Sequence, residues 1–196
     1  MPLALAGAGL LVLVVSTVWA SRDAIPPVEQ RVFRAVNGLP GWLYVPLWLP
    51  MQFGNLVVGA LAGIAVGIWL GEPAVAIAAV LATLAKLGIE RVLRRRMEPH
   101  LGVRQRPGTS EPGAILRGKD VPASGPSFPS GHVILAAAIA AVLTSSLGVE
   151  SVWVPWTFAV LVLVGRVYVG AHNPLDVTAG FGAGMLIGGL LNVFLR

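Results

Sequence analysis

Ser127-Phe128-Pro129-Ser130-Gly131-His132 closes a polar, Gly- and Pro-rich loop, and the residues that follow it, Val133 to Leu147, are an uncharged and largely apolar run. The junction predicts a helix whose first turn holds Ser130, Gly131 and His132. Unpaired backbone N–H groups at such a turn, with the helix dipole behind them, favour an anion. Gly131 lets an oxyanion approach the backbone, and His132 adds a titratable proton at the same place. A helix start with an incidental histidine is the plain alternative, and six residues do not decide between the two.

About forty residues on, Gly165-Arg166 ends one apolar run and Ala171-His172-Asn173-Pro174-Leu175-Asp176 opens the next. Asn173 suits a helix cap and Pro174 the first helical position, so Asp176 falls in the first turn with His172 just ahead of it. A carboxylate bonded to one imidazole nitrogen fixes the tautomer and leaves the other nitrogen free as a nucleophile. Arg166, near the same end, supplies charge for an incoming phosphate.

The residues around this core describe its solvent. Hydrophobic residues make up 56% of the 196, charged residues 12%, and the mean hydropathy is +0.79, which is the composition of a polytopic membrane protein. The formal charge of +5 suits phosphate groups and anionic lipid headgroups, and no soluble basic module is present to carry nucleic acid. There are no cysteines, which excludes disulfides, thiol nucleophiles and cysteine-ligated metal. No cluster of acidic residues and histidines suggests a metal site, so no cofactor is expected. Twelve arginines to two lysines, with many Ala and Gly, point to a GC-rich gene and a bacterial inner membrane.

Six membrane spans are predicted: Pro2 to Ser21, Phe53 to Leu70, Ala74 to Leu93, Gly131 to Leu147, Val152 to Tyr168 and Leu175 to Phe194. The fold class is therefore all-α, one membrane-embedded domain over 1–196 with a long loop, Arg94 to Pro126, between spans three and four. Between spans one and two, Val28, Val32, Phe33 and Val36 recur at helical spacing opposite Glu29, Arg31 and Arg34, the pattern of a helix lying in the interface. Trp42, Tyr44 and Trp48 continue at headgroup depth. Lys86 has Glu90 one turn on as a structural partner. The basic loop reads as a lid, in which Arg117 and Lys119 either touch substrate or face solvent and lipid. Glycines every fourth residue, at 59, 63 and 67 and again at 180, 184 and 188, read as packing stripes.

With these residues in view, the chain resembles the type 2 phosphatidic acid phosphatase superfamily, integral membrane lipid phosphatases that share their site with vanadium haloperoxidases. The family's second motif is complete as Pro129 to His132. Its third is present as Arg166, His172 and Asp176, with Gly165 where serine is usual. Its first is half present, since Arg106-Pro107 fits but Pro99 stands at the lysine position. Arg94, Arg95, Arg96, Arg104 and Lys86 are candidates to replace that lysine, and Arg96 is placed first because a short insertion before Arg106 would bring it into register.

The resemblance implies a metal-free phosphatase acting on a lipid phosphate or diphosphate. His172 would form a phosphohistidine, Asp176 would orient it, and His132 would protonate the leaving oxygen. Arg106, Arg166, a third basic group (Arg96 or Lys86) and the groups at Ser130 and Gly131 would hold phosphate. Polyprenyl diphosphate is the first choice of substrate, with phosphatidylglycerol phosphate, phosphatidic acid and polyprenyl-linked sugar phosphate behind it. A small transporter and a catalytically silent membrane scaffold are the non-enzyme alternatives. Thirteen of the fourteen basic residues fall on the face of the site, which favours a cytoplasmic site by the positive-inside rule. The bacterial relatives it resembles favour the outer side.

Overall fold

The computed structural model describes residues 1–22, 24–97 and 104–195, without side chains at 93–97. Arg94, Arg95 and Arg96 therefore have no described side chains, and Pro99 and His100 lie outside the described residues. Among the described residues the regular secondary structure is helical, apart from an isolated antiparallel bridge between Gln105 and Pro126.

Helix α1, Pro2–Ala20, is charge-free and starts on a proline at its first position. It is followed by α2 (Pro27–Asn37), α3 (Tyr44–Met51), α4 (Leu56–Trp69), α5 (Pro73–Met97), the single turn α6 (Pro107–Ser110), α7 (Gly131–Leu143), α8 (Trp153–Tyr168) and α9 (Pro174–Leu195). Among the described residues, three segments are long and apolar enough to cross a bilayer: Pro2–Ala20, Pro73–Val92 and Pro174–Leu195. A fourth arises if Gly41–Gly54 and Leu56–Trp69, which meet at a 72° bend, are taken together. Helices α7 and α8 are apolar but shorter, at 13 and 16 residues. The helices are those of a multi-pass membrane protein, with a count of three or four by length where six were expected.

Helix α7 is the centre of the fold. Val133, Ile134, Leu135, Ala137 and Ala138 are fully buried, so the helix that begins at Gly131 is enclosed on nearly all sides. The glycines of α9 make this possible. A Cβ at Gly184 would lie 2.5 Å from the Ile134 carbonyl oxygen, and one at Gly188 2.5 Å from that of Ala138. Gly182 meets the α1 backbone in the same way, at 2.6 Å from Leu13 N. Helix α9 is thus wedged between α1 and α7 at backbone contact, as the glycine stripe predicts, since backbones in lipid associate through close packing of small residues. Exposed tryptophans sit toward both ends of the bundle, Trp19, Trp42 and Trp48 at one and Trp69 and Trp153 at the other, where amphipathic rings favour the headgroup layer.

Helix α2 corrects the sequence reading. Val28 and Val32 are exposed as an apolar outer stripe, but Phe33 is 1% exposed and Glu29 5%. Glu29, Phe33 and Asn37, spaced by four, form the inward face. The helix turns because Glu29 and Asn37 have partners inside. Asn37 Nδ2 donates to the carbonyls of Ile115 and Tyr168 at 2.9 Å each, and its Oδ1 accepts from Ile115 N at 2.8 Å.

Backbone pairing holds the described part of the loop before α7 together. Arg106 N donates to Gly125 O at 3.1 Å and Ser127 N to Arg104 O at 2.9 Å, so the two ends of the segment run side by side. Arg117 packs over the Tyr168 ring at 4.3 Å and donates to the Tyr168 and Leu39 carbonyls. It anchors the loop to α8, while Lys119 is exposed.

Candidate active site

His172 reaches its position because α8 ends on a turn that only glycine makes readily. Gly170 has φ +77°, and Ala171 N and His172 N both return to the Arg166 carbonyl, at 3.0 and 3.3 Å. Pro174 then restarts the chain as α9. The expected side-chain cap does not form: Asn173 Oδ1 has no hydrogen-bond partner, and its amide donates to Gln105 O at 3.2 Å. Asp176 does the capping from within, its Oδ2 accepting from Asn173 N at 2.7 Å, the backward half of a capping box.

The side chain of His172 is 5% exposed. Its Nδ1 lies 2.8 Å from the Ser127 carbonyl oxygen, which can only accept, so Nδ1 carries the proton and Nε2 is left as the basic atom. Asp176 Oδ2 is 4.0 Å from Nδ1, beyond hydrogen-bond reach. The carboxylate instead accepts from Ser127 Oγ at 2.5 Å, and that hydroxyl is itself 3.4 Å from Nδ1. Asp176 thus orients His172 through Ser127, where the sequence reading paired them directly. Burial first, then the nearby charges of Arg166 and Arg106, hold the His172 imidazolium well below its ordinary pKa. The free site therefore holds a neutral imidazole at neutral pH.

A cavity of about 280 Å³ opens in front of this histidine, lined by Lys86, Arg106, Gly131, His132, Arg166 and His172. Glu90 and the loop residue Asp120 also reach it. The structure so brings together residues from α5, the loop, and the ends of α7 and α8. Arg106 donates through Nη1 to the Ala171 carbonyl at 2.8 Å, which fixes the guanidinium beside the turn that carries His172. Among the described residues, Ser130 Oγ and Arg166 Nε are buried without a hydrogen-bond partner. Buried donors are costly to leave unpaired, and an oxyanion at this junction would pair them.

Lys86 and Arg104 part company as stand-ins for the missing lysine. Lys86 faces the cavity, with Nζ 2.9 Å from Glu90 Oε2. Arg104 faces the other way: its side chain is buried behind Asp176, donating through Nε to Oδ1 at 2.6 Å and pairing through Nη2 with Glu29. Burial opposes the charge on Arg104, but Asp176 and Glu29 outweigh it and raise its pKa. Ser127 and Glu29 were not given roles from the sequence. The signal for Glu29 was the spacing of four to Phe33 and Asn37, masked by its position among arginines.

The sequence matches the family described as the PAP2 superfamily over residues 73–196, well over half of the chain and the stretch that holds the motif residues from Arg106 to Asp176. The chain belongs to the PAP2 superfamily. Two solved PAP2-like structures have the same fold. Aquifex aeolicus LpxE aligns with a TM-score of 0.74 and 22% identity, covering 87% of this chain and 98% of its own. A Bacillus subtilis protein, described as the first transmembrane PAP2 type phosphatidylglycerolphosphate phosphatase, aligns at 0.70 and 23%, covering 95% of each. No curated protein matches the sequence. The first 72 residues, with α1 to α4, lie outside the PAP2 match.

Proposed function

We propose that the chain is a membrane lipid phosphatase that cleaves a phosphomonoester or diphosphate of a lipid through a phosphohistidine on His172. The observation that carries this reading is the cavity in which a buried, neutral His172 faces His132 among three cationic side chains, with buried donors unpaired beside it. His172 Nε2 attacks phosphorus as the P–O bond to the leaving group breaks. His132 gives its proton to that oxygen, then takes one from the water that cleaves the P–N bond and releases phosphate. Arg106, Arg166, Lys86 and the Gly131 turn hold the equatorial oxygens, where preorganised charge contributes most to rate. No step needs a metal.

The lipid part of the reading is supported by a second cavity. On α7, Ala136, Ile139, Ala140 and Leu143 follow His132 on one face of the helix, and with Leu147 just beyond the helix end they form the floor of an apolar groove of about 300 Å³ walled by α4 and α8. At 1.5 Å per residue the helical part of this floor extends about 16 Å from His132. A tail lying there would present its head to the histidines. Polyprenyl diphosphate remains the first choice of substrate, and glycerophospholipid and sugar-linked phosphates stand as alternatives. Six crossings, with α7 and α8 as short spans, and one domain over 1–196 complete the proposal.

Purified protein in detergent, given a panel of lipid phosphates with EDTA present, tests it. Phosphate release that is unaffected by EDTA, inhibited by vanadate and steeper for long-tailed substrates is expected. No release from any of the panel, or activity lost on chelation and restored by Mg²⁺, would overturn it.

A further inference from the structure

Behind the site, on the side away from the cavity, three buried charges form a chain that the chemistry above does not use. Glu29 of α2, Arg104 of the loop and Asp176 of α9 follow one another, their side chains 4%, 8% and 0% exposed. Arg104 uses Nε for Asp176 and Nη2 for Glu29, so one planar guanidinium sets the two carboxylates in a fixed relation. Glu29 Oε1 also accepts from Leu175 N at 2.8 Å, an unpaired first-turn amide of α9. The turn that carries Asp176 is therefore held at two successive residues by α2 and the loop.

A buried ion triad contributes little net stability, because desolvating three charges offsets their attraction. Its position gives it a use. Asp176 fixes Ser127, and Ser127 fixes the proton on His172 Nδ1. The triad also leaves one uncompensated negative charge behind the nucleophile, opposite the positive charges of Arg106 and Arg166 in front. A histidine that becomes cationic when it binds phosphorus gains from that arrangement.

We infer that Glu29 and Arg104 are positioning residues of the phosphatase site, through which helix α2 sets the geometry and charge of His172. The inference rests on the proposed phosphatase reading. Neither residue reaches the cavity, so loss of either acts on turnover more than on substrate binding. Other charged or titratable groups face the same space: Arg106, His132 and Arg166 around His172, Lys86, Glu90 and Asp120 across the cavity, and Glu111 with Arg34 beyond Arg104. Because those are common to every variant, a change confined to the triad can be read against them.

The test is the pH dependence of kcat/KM and the split of kcat from KM for Glu29→Gln, Arg104→Lys and Arg104→Met, with one lipid phosphate whose own ionisation is the same throughout. Glu29→Gln removes a negative charge and should move the acid limb to lower pH. Arg104→Met removes a positive charge and should move it to higher pH, with kcat down about ten-fold or more and KM little changed. Arg104→Lys keeps the charge but not the fork, so its limb should return to that of wild type with kcat between the two. If Arg104→Met does not fold, the Glu29→Gln and Arg104→Lys profiles decide alone. Folded variants with unmoved limbs and unchanged kcat, or losses confined to KM, would overturn the relay while leaving the phosphatase reading intact. A wild type that releases no phosphate would overturn both.

Discussion

Lys86 Nζ sits 2.9 Å from Glu90 Oε2, and this pair occupies the space that a side chain at Gly131 would need, with Lys86 Cε 2.8 Å from an ideal Cβ there. The first helical residue of α7 must be glycine for the lysine to lie against it. A lysine one turn from its carboxylate on a helix is commonly no more than a local ion pair. Here the pair faces the same cavity as both histidines, and we propose Lys86 as the cation that serves in place of the first-motif lysine.

Lys86→Met should then lower kcat/KM by roughly ten- to over a hundred-fold, the worth of a charge-assisted contact of about 1.5–3 kcal/mol. Single alanine substitutions at Arg94, Arg95 and Arg96, measured on the same lipid phosphate, should each cost far less. A large loss at Arg96 with Lys86→Met near wild type would return the role to the arginine run.

Gly165 replaces the serine usual in the third motif, and the structure gives the reason. A Cβ at Gly165 would lie 2.6 Å from Met51 Cγ and 2.8 Å from Met51 Sδ, so helix α3 fills the volume a serine would take. Gly165→Ser should overpack this contact by about 1–3 kcal/mol. Thermal unfolding in detergent should show the loss, and Met51→Ala in the same chain should recover part of it. Equal unfolding temperatures for Gly165→Ser and wild type would mean that Met51 moves aside freely.

His172 also sets a pH dependence of stability. Its folded pKa is held well below 6.5, first by burial and then by Arg166 and Arg106, so the unfolded chain binds this proton more readily than the folded one. Stability from this group is present above about pH 6.5 and is lost as pH falls from there toward the folded value. The unfolding temperature of wild type should drop between pH 7.5 and 5.5, and His172→Gln should drop less. An identical drop in the variant would assign the dependence to other groups.

The motifs, the helix starts at Gly131 and Pro174, and the glycine stripes were legible because each is a local pattern with a local cause: a polar loop giving way to an apolar run, a proline's fixed φ, a small residue every fourth position. The backing of the site was not. Glu29 sits between apolar and basic residues on an amphipathic helix, and nothing in its own neighbourhood says that Arg104 will meet it inside. Arg104 and Lys86 were equivalent as cations in the sequence, and their opposite roles follow from which side of Ser127 and Gly131 each approaches. Span length misled differently, since α7 is short in the fold where its apolar run continues through Thr144 to Leu147 as turns.

The charge bias of the sequence favours a cytoplasmic site, the expectation that labelling can test. A cysteine in place of Thr109, exposed on α6, should resist a membrane-impermeant maleimide in intact cells and react after lysis. Ready labelling in intact cells would place the site outside and favour an externally released lipid diphosphate as substrate.

The most direct test of the account is to quench wild type and His172→Ala during turnover of a ³²P-labelled lipid phosphate and follow label on the protein. The account predicts label on wild type that is lost in acid and kept in alkali, as a phosphorus–nitrogen bond requires, and none on His172→Ala. Acid-stable label, or label retained by His172→Ala, would contradict it.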